Sequence, residues 1–202
     1  MAEMIRKSSV GEVVNHWMLA GSCILLIVTG FAFLFHLEPV SSVFGGVNSM
    51  KTVHNWGGLV FTLSLLVSTI HYLKDAFEYD ADDAQWFKVA GGYLSHKVKV
   101  PPMGKYNPGQ KLYYLAIFFG GIALALSGFA IWFLKDNTTL MLISQLVHNL
   151  AFCVFVIAVP VHIYLGTLAN PGTFQIMVSG MMPLSDAKKK HPKWMKEVGR
   201  MS

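Results

Sequence analysis

The sequence predicts an all-α integral membrane protein, a four-helix bundle with short interfacial helices. Hydrophobic residues make up 53% of its 202 residues and charged residues only 13%, where a soluble domain carries about 25% charged. The mean hydropathy is +0.48. Four apolar runs match or exceed the roughly 20 residues that cross a hydrocarbon core as a helix. They cover about 16–35, 54–73, 112–134 and 141–168, within a single membrane domain over 1–202.

Each run meets the length test in turn. The first has no Asp, Glu, Lys or Arg between Glu12 and Glu38. It is too long for a secretory signal peptide and has no small-residue cleavage site after it. The second lies between Lys51 and Lys74, the third ends before Lys135, and the fourth contains Pro160. None shows the roughly 10-residue alternation of a membrane β-strand. Between spans two and three, 81–93 has an Asp82-Asp83 start, a Trp86-Phe87 patch and a Gly91-Gly92 stop. That pattern predicts a short helix along the membrane surface. After span four, Asn170-Pro171-Gly172 is a helix breaker. Phe174, Met177, Val178 and Met181 then recur at amphipathic helical spacing. The segment 172–202 is read as an amphipathic, basic cytoplasmic tail that lies on lipid or docks a partner.

Charge sets the direction. Arg6 and Lys7 precede span one, six lysines from Lys74 to Lys111 lie between spans two and three, and six basic residues from Lys188 to Arg200 follow span four. Only Lys51 and Lys135 remain for the other side. Both termini are therefore expected in the cytoplasm. A net charge of +5 distributed this way is a topology signal and gives no ground for nucleic-acid binding. Cys23 and Cys153 fall inside apolar runs, which argues against a disulfide framework or a thiolate metal site. The acidic residues Asp75, Glu78, Asp80, Asp82 and Asp83 read as a solvated charge run. No phosphate-binding glycine loop, H-E-x-x-H or covalent haem motif is present. With no dehydrogenase active site in the sequence, a chain that handles electrons needs a partner to supply or accept them.

The histidines carry the chemistry. His16 opens span one on the inner side, His54 opens span two on the outer side, and His148 and His162 both lie on span four. Polar groups inside a membrane are costly and usually pair or serve a function. Fourteen residues separate His148 from His162, about 21 Å along a helix axis and about 40° short of whole turns, so both share one face. His54 matches the depth of His148, and His16 that of His162. This is the layout of two stacked bis-histidine b-type haems, whose irons have no open position and favour electron transfer. Gly30, Gly57, Gly58, Gly128 and Gly166 would thin the side chains around such rings. His71 lies about 100° off the stripe of His54. It is left as a spare inner ligand, a proton-relay group or a propionate partner. His36, His96 and His191 read as surface residues in loops.

These pieces resemble the membrane cytochrome b (gamma) subunit of respiratory formate dehydrogenases. The matching residues are Asn15-His16-Trp17, His54, the loop Gly104-Lys105-Tyr106-Asn107-Pro108-Gly109-Gln110-Lys111, His148, and Val161-His162-Ile163-Tyr164. The tail from Ser185 through His191-Pro192-Lys193-Trp194 matches too. The resemblance implies an outer haem b on His54 and His148 and an inner haem b on His16 and His162. It also implies a quinone site beside the inner haem, menaquinone or ubiquinone, with Asn107 and Gly109 in its loop. The implied partners are an iron–sulfur subunit and a molybdenum or tungsten formate dehydrogenase catalytic subunit, in a bacterial cytoplasmic (inner) membrane. Two other readings stay open: a cytochrome b anchor of a hydrogenase or other oxidoreductase, and a haem-free anchor or transporter whose histidines relay protons. Transporters often show broken helices and inverted repeats, neither of which the sequence displays.

Overall fold

The computed structural model describes residues 3–93 and 97–201. Strand β1 (Met4–Arg6) is followed by helices α1 (Val10–Leu34), α2 (Glu38–Val43), α3 (Val47–Phe77) and α4 (Ala81–Lys88). A 3-10 turn (Ala90–Gly92) leads to α5 (Pro108–Phe133), α6 (Thr138–Gly166) and α7 (Thr173–Ser179). Strand β2 (Met181–Pro183), α8 (Leu184–Lys190) and α9 (Pro192–Glu197) complete the chain. The four expected spans are α1, α3, α5 and α6, each long and apolar enough to cross a membrane. The shortest, α1, has 25 residues and reaches about 37 Å.

The long helices begin earlier than the apolar runs, and the polar residues ahead of those runs are the reason. At α1 the Ser9 hydroxyl accepts from the Glu12 N–H at 3.2 Å and the Glu12 carboxylate accepts from the Ser9 N–H at 2.6 Å. Asn107 and Gln110 form the same reciprocal box ahead of α5, at 2.8 and 2.9 Å. Pro108 at the first helical position costs nothing, because that N–H has no intrahelical partner. The start of α4 is likewise set by an Asp80–Asp83 capping box rather than by Asp82-Asp83. At the other end, the Asn170 amide donates to the Leu165 carbonyl at 2.9 Å. The span therefore closes at Gly166, just before 168.

The described residues of Val14–Ile70 and Ala116–Ile163 form one compact unit. It is built from the four long helices packed through small residues. The face of Gly30 meets Phe152, that of Gly57 meets Leu25 and Leu26, and that of Gly121 meets Leu65 and Phe61. Phe155 is almost fully buried and sits edge-on to Phe61. Leu126, Phe133 and Ile157 are exposed, as a lipid-facing surface requires. Polar side chains inside the spans are satisfied locally: Ser22, Thr29 and Ser127 donate to the carbonyls of Met18, Leu25 and Ala123 at 2.8, 2.8 and 2.5 Å. Asn15 ties α1 to α3 by donating to the Ser64 carbonyl and the Ser68 hydroxyl, at 3.1 and 2.8 Å.

The described residues of Met1–Val13, His71–Leu115 and Tyr164–Ser202 form a second compact unit, which holds the three basic segments. Here the structure corrects three sequence expectations. Met181 is not on a helix: Gly180 takes a left-handed φ of 74° and ends α7, and 181–183 pairs antiparallel with β1 in the register Ile5↔Met182. The buried face of α7 is Ile176, whereas Phe174 and Val178 are exposed. The tail builds its own core from Ile176, Met182, Ala187, Trp194 and Met195, so these five apolar residues are covered by the chain itself while Phe174 and Val178 stay exposed. His191 is buried, because its ring joins both ends of the chain. Its Nδ1 donates to the Gly104 carbonyl at 2.7 Å, and its Nε2 accepts from Lys7 Nζ at 2.8 Å. His36 is exposed as expected, and His96 lies outside the described residues.

The acidic segment is also more structured than a solvated charge run. Lys111 Nζ donates to the buried Asp83 carboxylate at 2.7 Å, and Lys193 Nζ lies 2.6 Å from both Asp80 and Asp82. Lys193 helps to hold the Asp80 carboxyl below its usual range.

Burial, with the charges of Lys105 and Lys190, lowers Lys7 to about 7. Burial and the Lys7 charge lower His191 to about 4. A released tail therefore binds more protons than the docked one between about pH 4 and the ordinary histidine value of 6.5, and docking loses stability as the pH falls through that window. His191→Gln keeps one donor and one acceptor but does not titrate. Limited proteolysis of the C-terminal segment is expected to accelerate from pH 6.5 to 4 in the wild type, with most of that dependence gone in His191→Gln.

Candidate functional site

The two histidine pairs inferred from depth are brought together. His54 on α3 and His148 on α6 have ring centroids 6.4 Å apart, with planes at 60°. His16 on α1 and His162 on α6 are 6.2 Å apart, at 54°. A metal–imidazole bond is about 2 Å, and a five-membered ring with bonds near 1.35 Å places its centroid about 1.1 Å behind the ligating nitrogen. Two such bonds in line on one iron separate the centroids by about 6.2 Å. Both pairs have this spacing. The tilts are compatible as well, since each axial imidazole plane contains the bond axis and is free to rotate about it.

The His54–His148 pair shows which nitrogen is available. The Thr29 hydroxyl donates to the Leu25 carbonyl, so its oxygen accepts the Nδ1–H of His54, at 2.7 Å. The Ser127 hydroxyl donates to the Ala123 carbonyl, and its oxygen accepts the Nδ1–H of His148 at 3.0 Å. The Leu124 carbonyl also bonds His148. Both rings are thus in the Nδ1–H tautomer, and each leaves an Nε2 lone pair. Two lone-pair nitrogens cannot hydrogen-bond to one another, but both can ligate one metal. Phe33 stands edge-on to His54 at 5.4 Å and helps to fix its plane. The donor set therefore fits a haem iron with two axial imidazoles. The hydroxyls were not singled out in the sequence, although a Thr and a Ser inside apolar spans are a signal of their own.

Among the glycines expected to make room, a Cβ on Gly128 would lie 3.3 Å from His148 Cε1. Gly58 and Gly166 have no heavy atom within 4 Å of such a carbon, while Gly30 and Gly57 admit neighbouring side chains. His71 is exposed and belongs to the other unit, its centroid 6.2 Å from that of Tyr72. Also in that unit, Asn107 caps α5 through its side-chain oxygen, leaving its amide group as a donor. Gly109 lies beneath Trp86: a Cβ there would come within 2.8 Å of the indole. The side of Gly109 that a Cβ would occupy is therefore covered by Trp86.

Gly128→Ala is expected to displace His148 by a few tenths of an ångström and to shift one haem component of the visible spectrum. Gly128→Val is expected to lower the haem content of the purified chain by about half. A pyridine haemochrome assay checks both.

Comparison with known proteins identifies the family of the chain. The family model described as prokaryotic cytochrome b561 matches residues 7–180. The cytochrome b556(fdo) subunit of formate dehydrogenase from Escherichia coli K12 is 29% identical over 192 residues, covering 93% of this chain and 90% of that protein. The nitrate-inducible formate dehydrogenase cytochrome b556(Fdn) subunit of the same strain is 24% identical over 203 residues, covering 98% and 93%. The formate dehydrogenase cytochrome b556 subunit of Haemophilus influenzae is 24% identical over 190 residues, covering 91% and 79%. The resemblance drawn from the residues is thus borne out, and with a family match across most of its length the chain belongs to the prokaryotic cytochrome b561 family.

Proposed function

We propose that this chain is the di-haem membrane subunit that anchors a formate dehydrogenase complex in a bacterial cytoplasmic membrane. In this reading it passes electrons from an iron–sulfur partner to membrane quinone. The observation that carries the proposal is the pair of facing histidine couples, at centroid spacings of 6.4 and 6.2 Å. One helix supplies a member of each couple at two depths. The coverage of the formate dehydrogenase subunits supports the choice of complex.

A haem bound between two histidines would supply one reversible electron. The chain's residues do the rest. His54 and His148 would hold the outer group, and His16 and His162 the inner one. Their separation of about 21 Å along α6 carries electrons across most of the hydrocarbon thickness. Electrons enter from an iron–sulfur subunit on the outer side, which is fed by a molybdenum or tungsten catalytic subunit that oxidises formate. They leave to menaquinone or ubiquinone near the cytoplasmic face. Asn107 contributes its free amide donor there, and Gly109 contributes through the loop it shapes with Trp86. Two electrons and two protons convert quinone to quinol. Protons taken from the cytoplasm, with electrons arriving from outside, add to the membrane potential.

Replacing His162 with Ala is expected to remove the inner haem and to reduce quinone reduction by at least tenfold, with the formate-oxidising partner still co-purifying. Two haems and normal quinone reduction in that variant would reject the assignment. Capture of a nickel–iron subunit in place of a molybdenum or tungsten one would reject the choice of complex.

A further inference from the structure

We infer that Thr29 and Ser127 are positioning residues that set the redox potential of the outer haem, through hydrogen bonds from the far nitrogens of its two ligands. The inference rests on the two-haem reading. Thr29 is fully buried and Ser127 buried, both within membrane-spanning helices where a hydroxyl needs a local reason to be retained. Each uses its hydrogen on the carbonyl four residues earlier on its own helix. That fixes the oxygen in place and leaves it able only to accept. Each oxygen then accepts Nδ1–H from a histidine on another helix, at 2.7 Å for His54 and 3.0 Å for His148.

The result is a chain of two bonds on each side: carbonyl, hydroxyl, imidazole. Withdrawing Nδ1–H toward an acceptor makes Nε2 a more basic ligand. A more basic ligand favours the oxidised iron and lowers the potential. The bonds also fix the ring orientation, with Phe33 edge-on to His54. Both bonds act in the same direction, lowering the potential of the haem that His54 and His148 would hold. The two hydroxyls are not equivalent. His148 retains the Leu124 carbonyl when Ser127 is removed, whereas Thr29 is the one recorded hydrogen-bond partner of His54 among the described residues.

Potentiometric titration of the haem α-band, with low-temperature EPR, tests this on the haem-loaded full chain. The wild type is expected to give two low-spin components. In Thr29→Val one component moves to higher potential while the other stays. The ratio of oxidised to reduced iron at a fixed potential falls between about two- and tenfold, the upper end being about 59 mV for one electron. Thr29→Ser restores the wild-type value, and Ser127→Ala moves the same component by less. Unmoved components in Thr29→Val and Ser127→Ala with both haems loaded would overturn the inference, as would a Thr29→Ser shift equal to that of Thr29→Val. If Thr29→Val loses the haem, retention at wild-type potential in Thr29→Ser supports the inference and loss there overturns it. Should Thr29→Val not fold, Ser127→Ala decides. Fewer than two low-spin haems in the wild type would instead overturn the reading on which the inference rests.

Discussion

A neutral imidazole among apolar helices needs a use for each ring nitrogen, and this requirement organises the membrane unit. Water is absent from the hydrocarbon, so an unmatched donor or acceptor there costs several kcal/mol. On the outer couple the Nδ1–H groups are taken by Thr29 and Ser127. What remains is an acceptor nitrogen on each ring, with the ring centroids 6.4 Å apart. The positions of α1, α3, α5 and α6 serve that outcome: Thr29 comes from α1, His54 from α3, Ser127 from α5 and His148 from α6. The His54–His148 couple thus draws on all four helices, and small residues at Gly30, Gly57 and Gly121 allow these helices to approach closely.

The second unit solves a different problem. Both chain ends and the segment between α3 and α5 are polar and basic, and hydration alone would not fix them. Antiparallel pairing of β1 with β2 joins the ends. The Lys7–His191–Gly104 bonds then link both ends to the loop ahead of α5. That loop enters α5 through a capping box on Asn107 and Gln110, so its backbone is held from both directions. A buried lysine beside a buried histidine is stable only while at most one of them carries charge. This makes the assembly sensitive to acid.

Much of this architecture was legible in the sequence because it is written in period and length. Four long apolar runs and the 14-residue spacing on α6 are local quantities, and each led to a feature that the structure contains. The histidine couples were legible for the same reason: equal depth follows from counting residues along helices of known rise. What was not legible depends on partners distant in sequence. Met181 has helical spacing from Phe174, yet the pairing of Met4–Arg6 with Met181–Pro183 outweighs it once Gly180 ends the helix. His191 sits among lysines and reads as surface, and only the approach of Lys7 and Gly104 buries it. Asp83 reads as a solvated carboxylate until Lys111 closes on it. The hydroxyls of Thr29 and Ser127 gain meaning only when α3 and α6 bring imidazoles to them.

The central claim is that four histidines saturate two haem irons. A pyridine haemochrome count, combined with a reduced-minus-oxidised spectrum of the detergent-purified chain, tests it most directly. The account predicts about two b-type haems per chain with low-spin α-bands. A folded, membrane-extracted chain with no haem, or with a high-spin iron that binds carbon monoxide, would contradict it, and the facing imidazoles would then have to be explained as a proton path.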